Sequence, residues 1–440
     1  MRIGFFFNHD HVHQVAHSLP IALALMRAPD TTVVIATTND RLSAEVRRLS
    51  RRAGVIVPLI QLGLRRMSSR IAARRLEGIL PVAKLCIYRD NLDFFRTLDA
   101  LVVTEKTSLL LKTRYGLDHL KIIHTRHGAG DRAIGFNPIS QRFDHSLVSG
   151  AKIRERLIAD AGVAPERLSV VGYPKFDLIG GVDEKPLFAD PSKPTILYNP
   201  HPSPHLSSWY KHGIAVLDHF LADDRFNLIF APHVMLFHRA LVVTIDKLRI
   251  DRPGRIPQRF HDAPNIHIDT GSSALTDMTY TAAADIYLGD VSSQIYEFLH
   301  TPRPCIFLNS HKVAWRGDAN YLHWHAGDVI GHPGGLLLAL ERAAANHVRY
   351  RPVQRDLFAR TFDLTAEPSS ERAARAILSV LSPAPAIPLA LPERRVAAVA
   401  GGVLGGAGLA GASNAGAGLA GANNAGAANA GGAARPIEAA

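Results

Sequence analysis

The segment Asp285-Ile-Tyr-Leu-Gly-Asp290-Val-Ser-Ser-Gln-Ile-Tyr-Glu-Phe298 decides the fold that we predict for this chain. Its apolar run at 286–288 is typical of a buried strand, and Gly289 permits a tight turn. Ser292 and Ser293 belong to the residue types that cap helices, and apolar residues follow them at helical spacing. The segment therefore predicts a strand, a turn and a helix in succession.

The start of such a helix suits a phosphate group, because its backbone N–H groups lack partners and carry a partial positive charge. The hydroxyl groups of Ser292 and Ser293 would add two hydrogen-bond donors, and Asp290 opens the turn that carries them. An ordinary capped helix has the same residue pattern. The segment by itself leaves both interpretations open.

The composition is that of a globular chain. Its 440 residues are 47% hydrophobic and 20% charged, which is enough for two or three domains. Outside a Gly/Ala-rich tail there is no run of about 18 uncharged apolar residues, so we expect no transmembrane helix. The first residues predict a strand rather than a signal peptide. Because Cys86 and Cys305 suggest neither a disulfide framework nor a zinc site, we predict a cytoplasmic protein.

The net charge of +11 is concentrated in one segment. Ten arginines between positions 41 and 75 are interleaved with apolar residues, and Glu45 is the only acid among them. Such a basic amphipathic surface predicts peripheral contact with an anionic membrane, although a solvated helix face has the same pattern. The ten residues are Arg41, Arg47, Arg48, Arg51, Arg52, Arg65, Arg66, Arg70, Arg74 and Arg75.

Short apolar runs alternate with helical patterns along most of the chain, which predicts an α/β fold with two parallel, doubly wound, Rossmann-like sheets. We predict an N-terminal domain at 1–178, a linker at 179–194, a C-terminal domain at 195–385 and a flexible Gly/Ala/Asn-rich tail at 395–440. The predicted strands lie at 2–7, 32–36, 55–58, 100–103, 121–124, 143–148, 195–198, 226–231, 266–268, 286–288 and 304–308. Ligands of such sheets bind at the carboxyl ends of the strands, so the cleft between the domains is the expected site.

Two histidines follow predicted strands and are candidate catalytic residues. His127 stands just after the strand at 121–124, before Gly128, in a glycine-rich loop where a histidine can act as a general base near pH 7. His233 follows a strand of the second domain, where it could neutralise a departing diphosphate. A loop histidine that only makes hydrogen bonds, or a surface charge, is the alternative for each candidate. Further candidate phosphate contacts are Arg126, Arg132 and Lys175.

A metal site is conceivable at the N-terminal histidines, because imidazole is a common ligand. His9, His11 and His13 alternate, His17 follows, and Asp10 is the only acid that accompanies them. We favour a polar loop at the cleft over a metal site, and expect no metal. The chain also lacks a P-loop, a Gly-x-Ser-x-Gly elbow and a Gly-x-Gly-x-x-Gly fingerprint, which argues against ATPases, elbow-type hydrolases and NAD enzymes. We expect no cofactor.

Taken together, these segments resemble the CDP-glycerol glycerophosphotransferase family of wall and capsule polymer enzymes. The resemblance extends over about 120–310. Departures from the family pattern lie at Arg126, at Ala129-Gly130, at 199–204 and at Val291, and they leave the acceptor and the glycerol end of the donor open. The matching segments are His127-Gly128, Val171-Gly-Tyr-Pro-Lys-Phe-Asp177, the Pro-His233 pair, Asp290-Val-Ser-Ser293 with Glu297-Phe298, and Pro302-Arg-Pro304.

The resemblance implies a glycosyltransferase-B fold, with an acceptor-side first domain and a nucleotide-donor second domain. It implies a transferase that moves a glycerophosphate or glycosyl group from a nucleotide-diphosphate donor, such as CDP-glycerol or a nucleotide sugar, to a hydroxyl of a polymer or lipid-linked acceptor. His127 would be the base, His233 would stabilise the departing group, and Glu297 would hold a ribose hydroxyl. The remaining phosphate-site residues would be Arg126, Gly128, Lys175, Asp290, Ser292 and Ser293.

Two other classes stay open at this point. The first is an enzyme similar to the UDP-N-acetylglucosamine 2-epimerases, which share the domain plan and would need acid/base carboxylates in the cleft. The second is a non-catalytic protein that binds polyanions through the arginine-rich segment, with steep salt dependence. For the transferase we expect no nucleic-acid partner.

Overall fold

A computed structural model describes residues 1–8, 12–76, 82–126, 128–178, 187–238, 240–244 and 249–382 of this chain. The elements below all belong to one compact unit, Met1–Ala386. The described residues do not include the predicted base His127, the histidines His9 and His11, the first half of the predicted linker (179–186) or the Gly/Ala-rich tail.

Seven described strands form the first sheet, and every neighbouring pair in it is parallel. The strands are β1 (Arg2–Phe7), β2 (Thr32–Thr37), β3 (Leu59–Gln61), β4 (Ala100–Val103), β5 (Lys121–Thr125), β6 (His145–Val148) and β7 (Leu168–Val170). Their order is β3-β2-β1-β4-β5-β6-β7, so the winding direction reverses between β1 and β4. A doubly wound sheet opens a crevice at the carboxyl ends of two such strands.

The second sheet repeats this plan with six described strands, again all parallel. Its strands are β8 (Thr195–Asn199), β9 (Asn227–Phe230), β12 (Ile266–Ile268), β13 (Ile286–Gly289), β14 (Cys305–Leu308) and β15 (Asp328–Ile330). The order is β12-β9-β8-β13-β14-β15, which places the reversal between β8 and β13. An antiparallel hairpin of β10 (Val242–Thr244) and β11 (Arg249–Asp251) stands apart from both sheets.

Helices connect the strands and cover the sheets. The described α-helices are α1 (Leu19–Leu25), α2 (Asp40–Arg52), α3 (Met67–Leu76), α4 (Val82–Asp90), α5 (Leu92–Arg96), α6 (Leu110–Thr113), α7 (Ala151–Ala159), α8 (Trp209–Ala222), α9 (Gln258–His261), α10 (Thr279–Ala283), α11 (Ile295–Phe298), α12 (Leu336–Thr361) and α13 (Ser369–Leu381). Short 3₁₀ helices include Val12–His17, Thr107–Leu109, Ala133–Gly135, Pro138–Arg142, Pro174–Leu178, Ser273–Leu275 and Ala319–Ala326. No helix within the described residues has both the length and the apolar composition needed to cross a membrane.

The strand–turn–helix segment at 285–298 folds largely as predicted. Ile286–Gly289 is a strand with every residue buried, at the centre of the second sheet. The helix after it, α11, is only one turn long and begins at Ile295 rather than at the serine pair. The two doubly wound sheets confirm the predicted α/β class. The one-turn length of α11 means that a helix dipole contributes little behind the serines.

The end of the described chain returns to the first sheet. Helix α12 covers the second sheet and contacts α7, and α13 then packs against α1. Gly150, at the start of α7, lies so close to the end of α12 that a Cβ atom there would stand 2.4 Å from the carbonyl oxygen of Arg360. The domain boundaries that we drew from the sequence remain a prediction, although the strands of the two sheets do separate between β7 and β8.

Candidate active site

A cavity of about 680 Å³ lies where the carboxyl ends of the central strands of both sheets meet. Thr104 follows β4 and Arg126 follows β5 on the first-domain side. His201 follows β8, His233 follows β9 and Val291 follows β13 on the other side. Both reversal points of strand order therefore open into the same space, which is where doubly wound sheets bind ligands.

The lining of this cavity is basic. Its cationic residues outnumber its carboxylates, and one of the carboxylates, Glu297, is already paired with a lysine. Burial, together with the nearby His233 and Arg132, holds the pKa of His201 well below its usual value. That is the effect expected where positive charge is concentrated. The charged side chains of the lining are Lys84, Glu105, Lys106, Arg126, Arg132, Lys175 and Glu297. Such a cavity suits an anionic ligand.

Most of the site residues that we predicted line this one cavity. Those that do so are Arg126, Gly128, Lys175, His233, Ser292, Ser293 and Glu297. His127 lies outside the described residues, but its sequence neighbours on both sides are part of the lining. Residues that follow strands of both sheets thus meet in one cavity, as expected for ligand sites at the carboxyl ends of parallel strands.

Asp290 lies beneath the serine pair instead of in the cavity lining. Its buried carboxylate accepts hydrogen bonds from the backbone N–H groups of His201 at 2.9 Å, Ser208 at 2.6 Å and Val291 at 2.6 Å. Burial raises the pKa of Asp290 even so. These contacts join the loop after β8 to the loop after β13, so the carboxylate supports the cavity wall.

The serine hydroxyls do not cap α11. The residue before the helix is Gln294, whose side chain makes no capping bond. The hydroxyl of Ser292 accepts from the Gln294 backbone N–H only at 3.4 Å, which is a weak contact. The structure therefore does not show the capped helix that we left open as the alternative, and both serine side chains line the cavity.

Glu297 and Lys175 form a buried ion pair that joins the end of the segment that carries the first sheet to helix α11 of the second. The Nζ atom of Lys175 donates to Oε1 of Glu297 at 2.6 Å, and the Tyr173 hydroxyl donates to the same oxygen at 3.3 Å. The other oxygen, Oε2, is buried and has no hydrogen-bond partner among the described residues. An unsatisfied buried carboxylate oxygen in a cavity lining suits a hydroxyl donor of a ligand.

Asp131 is the centre of a second buried network, which joins the parts of the chain that carry the two sheets and which no sequence pattern predicts. Its carboxylate accepts from Lys152 Nζ at 2.8 Å, from the Tyr296 hydroxyl at 2.7 Å and from His323 Nδ1 at 2.8 Å. Burial opposes the charge, but Lys152 and His323 hold the pKa of Asp131 well below its usual range. Lys152 lies in α7, between strands of the first sheet, whereas Tyr296 and His323 lie in elements that follow strands of the second sheet.

The same network reaches the loop that carries the serines. His323 donates from Nε2 to the backbone carbonyl of Asp290 at 3.0 Å, and Trp324 donates to that carbonyl at 2.7 Å. The loop of Asp131 also touches the serine loop directly, since a Cβ atom on Gly130 would lie 3.0 Å from the Cβ atom of Ser293. Both loops of the cavity are thus held against each other by buried polar contacts.

Comparison with known proteins supports the fold. No protein-family model and no curated protein matches the sequence. Among solved structures, the wall teichoic acid polymerase TagF is 16% identical with a TM-score of 0.54, over 86% of this chain and 88% of that chain. A wall-polymer enzyme is thus among the structural neighbours, as the sequence resemblance implies.

Epimerases are neighbours as well. UDP-GlcNAc 2-epimerase from Neisseria meningitidis, solved bound to UDP-GlcNAc, is 13% identical with a TM-score of 0.56, over 87% of this chain and 99% of that chain. MnaA of S. aureus, solved with UDP, is 13% identical with a TM-score of 0.53, over 86% and 95%. These similarities confirm the predicted glycosyltransferase-B fold, and at such identities they establish the fold alone.

The Asp131 network predicts a large loss of stability in Asp131→Asn. The substitution leaves the buried ammonium of Lys152 without a carboxylate, which typically costs about 3–5 kcal/mol. We expect that decrease in the free energy of unfolding, measured by urea denaturation at pH 7. Because the pKa of Asp131 is depressed, the difference from the unsubstituted chain should persist above pH 5 and shrink as the pH falls below about 4.

Asp160→Asn is the matched control. Asp160 pairs with Arg156 at 2.8 Å but is 42% exposed, and exposed pairs contribute only about 0–1 kcal/mol. Equal small losses in the two variants would contradict the structural importance that we assign to Asp131.

Proposed function

We propose that this chain is a transferase that moves a glycerophosphate or glycosyl group from a nucleotide-diphosphate donor to a hydroxyl acceptor. The observation that carries the proposal is the basic cavity at the strand ends of both sheets, which combines a serine pair with cationic side chains. The neighbours solved with UDP-GlcNAc and with UDP give independent support for a nucleotide-diphosphate ligand.

The donor would bind on the second-domain side. Ser292, Ser293 and His233 would donate hydrogen bonds to its phosphates, and the charge that develops on the departing nucleotide would be stabilised by fixed donors and cations. The free Oε2 atom of Glu297 would accept from a ribose hydroxyl while Lys175 holds the other oxygen in place. In this proposal Lys175 acts mainly through Glu297 and contributes its charge to the cavity.

The acceptor would approach from the first-domain side, where His127 would act as the base. As the acceptor oxygen forms its bond to the transferred group, the imidazole takes the hydroxyl proton. The bond between that group and the nucleotide phosphate breaks at the same time, and the nucleotide keeps the electron pair. Arg126 would steer anionic groups into the cavity. Positioning and charge stabilisation supply most of the acceleration in such reactions.

The proposal predicts that His127→Ala lowers turnover by about two to four orders of magnitude, because general-base catalysis contributes that much. Donor affinity should stay unchanged. The donor is found first by thermal shift with CDP-glycerol, CDP-ribitol and UDP- and GDP-sugars, since a ligand that binds only the folded chain raises its melting temperature. The exposed His119→Ala serves as the control. Unchanged turnover in His127→Ala would remove that residue from the role of base.

A nucleotide-sugar epimerase is the second candidate, and Glu105 is the observation in its favour. This carboxylate follows β4, lines the cavity, and accepts from the Tyr88 hydroxyl and from the Thr107 N–H, the latter at 2.8 Å. Burial raises the pKa of Glu105. A carboxyl group with a raised pKa in a cleft can exchange a proton with a substrate.

Incubation with UDP-GlcNAc in the absence of any acceptor separates the two candidates. The transferase proposal predicts no epimerised sugar in the proton NMR spectrum over many hours. Product that accumulates, and that is lost in Glu105→Gln, would favour the epimerase and overturn the transferase.

We further propose that the arginine-rich segment contacts anionic membrane, where a lipid-linked acceptor would be presented. All ten arginines of the segment are exposed. Large apolar side chains accompany them at the surface, with Ile56 93%, Met67 67% and Ile71 47% exposed. Basic residues around exposed apolar side chains are the composition that binds an anionic interface.

Charge reversal at Arg47, Arg51 and Arg74 should therefore weaken binding to phosphatidylserine vesicles. At about 1 kcal/mol for each basic residue, the binding constant should fall by about a hundredfold or more, as measured by co-sedimentation. Arg48 is left intact because it bonds to Glu45 at 2.8 Å.

The control reverses three exposed arginines of α12, Arg342, Arg351 and Arg355, which changes the net charge by the same amount. If both triple variants lose binding equally, the effect belongs to net charge and the assigned surface is wrong.

A further inference from the structure

Two cations on the first-domain wall of the cavity have no carboxylate partner. Lys106 follows β4, Arg126 follows β5, and both line the cavity. Neither makes an ion pair within 4.0 Å with any residue of the described ranges. Among the described residues, only neutral groups therefore hold these two side chains in place.

The neutral contacts leave donor capacity unused. Arg126 donates from Nη1 to the Gly135 carbonyl at 2.8 Å and stacks over Phe136, while its buried Nε has no hydrogen-bond partner among the described residues. Lys106 donates to the side-chain oxygen of Asn137 at 3.1 Å. An ammonium has three donors and a guanidinium has five, so both groups can bind a further acceptor.

The two charges also disfavour each other. Burial and the nearby Arg126 lower the pKa of Lys106. Burial and Arg156 lower the pKa of Arg126 to about 10. Partly buried cations that repel one another cost folding free energy unless an anion compensates them.

The buried lysines at the domain boundary show the contrasting arrangement. Lys152 has Asp131 at 2.8 Å, and Lys175 has Glu297 at 2.6 Å. In those two places the fold supplies the compensating carboxylate itself. At Lys106 and Arg126 the compensation is left to a ligand.

We propose that Lys106 and Arg126 form a second oxyanion subsite, which binds a phosphate or carboxylate group carried by the acceptor. This assignment rests on the proposed function, because it takes the serine pair of the second domain as the donor's phosphate site. The two cations lie on the wall of the other sheet, at the ends of β4 and β5. A planar guanidinium and an ammonium on the same cavity wall can both donate to the oxygens of a phosphate or carboxylate.

The test uses the full chain saturated with whichever nucleoside diphosphate, CDP, UDP or GDP, raises its melting temperature. Glycerol 3-phosphate and glycerate are then titrated by calorimetry as the phosphate and carboxylate probes. Lys106→Met, which removes the charge and keeps the length, should weaken binding of the preferred probe by about tenfold or more. Lys106→Arg should restore most of it, and the affinity for the nucleoside diphosphate should change by less than about twofold.

A stability readout separates a binding role from a structural one. Because Lys106 is repelled by Arg126, Lys106→Met should leave the melting temperature of the ligand-free chain unchanged or raise it. Lys312→Met, at an exposed lysine outside the cavity lining, is the matched control and should alter neither binding nor stability.

Each remaining outcome decides the question. Probe binding that is equal in Lys106→Met and in the control overturns the subsite. The subsite is also overturned if Lys106→Met weakens binding of the nucleoside diphosphate as much as binding of the probe, because Lys106 would then contact the donor. If no nucleoside diphosphate binds, the proposed function fails. The titrations are then run on the ligand-free chain. Probe binding that is weakened in Lys106→Met still supports an oxyanion subsite, and probe binding that is unchanged in this variant overturns it.

Discussion

The buried carboxylate of Asp131 is the constraint on which the cavity depends. It accepts hydrogen bonds from Tyr296 and His323 across 165 and 192 residues of sequence, and from Lys152 within its own domain. A charged group that is buried in this way is tolerable only when its partners are all in place. The loop after β5 and the loop after β13 can therefore take only one relative position, and the shape of the cavity follows from it.

The degree of burial explains which strands could be predicted from the sequence. Strands such as β1 and β13 are continuous apolar runs because both faces of a parallel sheet are covered, so they are visible in the sequence. The short outer strands β3 and β15 have no fully buried residue. We predicted the first too early, at 55–58, and did not predict the second. Helix α11 begins later than its sequence pattern suggests. Asp290 uses its carboxylate to accept from the backbone of His201 and Ser208 rather than to begin a helix.

Most residues of the candidate site could be predicted from the sequence, but the contacts between them could not. Arg126, His233 and Ser292 each follow a strand, and the carboxyl ends of parallel strands meet at one edge. Lys175 donates to Glu297, which is 122 residues away, and this contact depends on how the parts of the chain that carry the two sheets pack together. Asp131 lies in a glycine-rich segment in which the sequence pattern indicates a role for His127 rather than for the carboxylate. No local pattern marks a carboxylate whose partners are distant in the sequence.

Charge compensation distinguishes cations that hold this fold together from cations that are available to a ligand. The overall charge of +11 reflects mostly exposed arginines and could not locate a binding site. Within the cavity the distinction is sharper, because Lys175 is neutralised by Glu297, whereas the partners of Lys106 and Arg126 in the described part of the chain are neutral. The described fold supplies buried carboxylates for Lys152 and Lys175 but places none within 4.0 Å of Lys106 or Arg126, although Glu105 also lines this wall. The two cations therefore keep a positive potential whose natural complement is an incoming oxyanion.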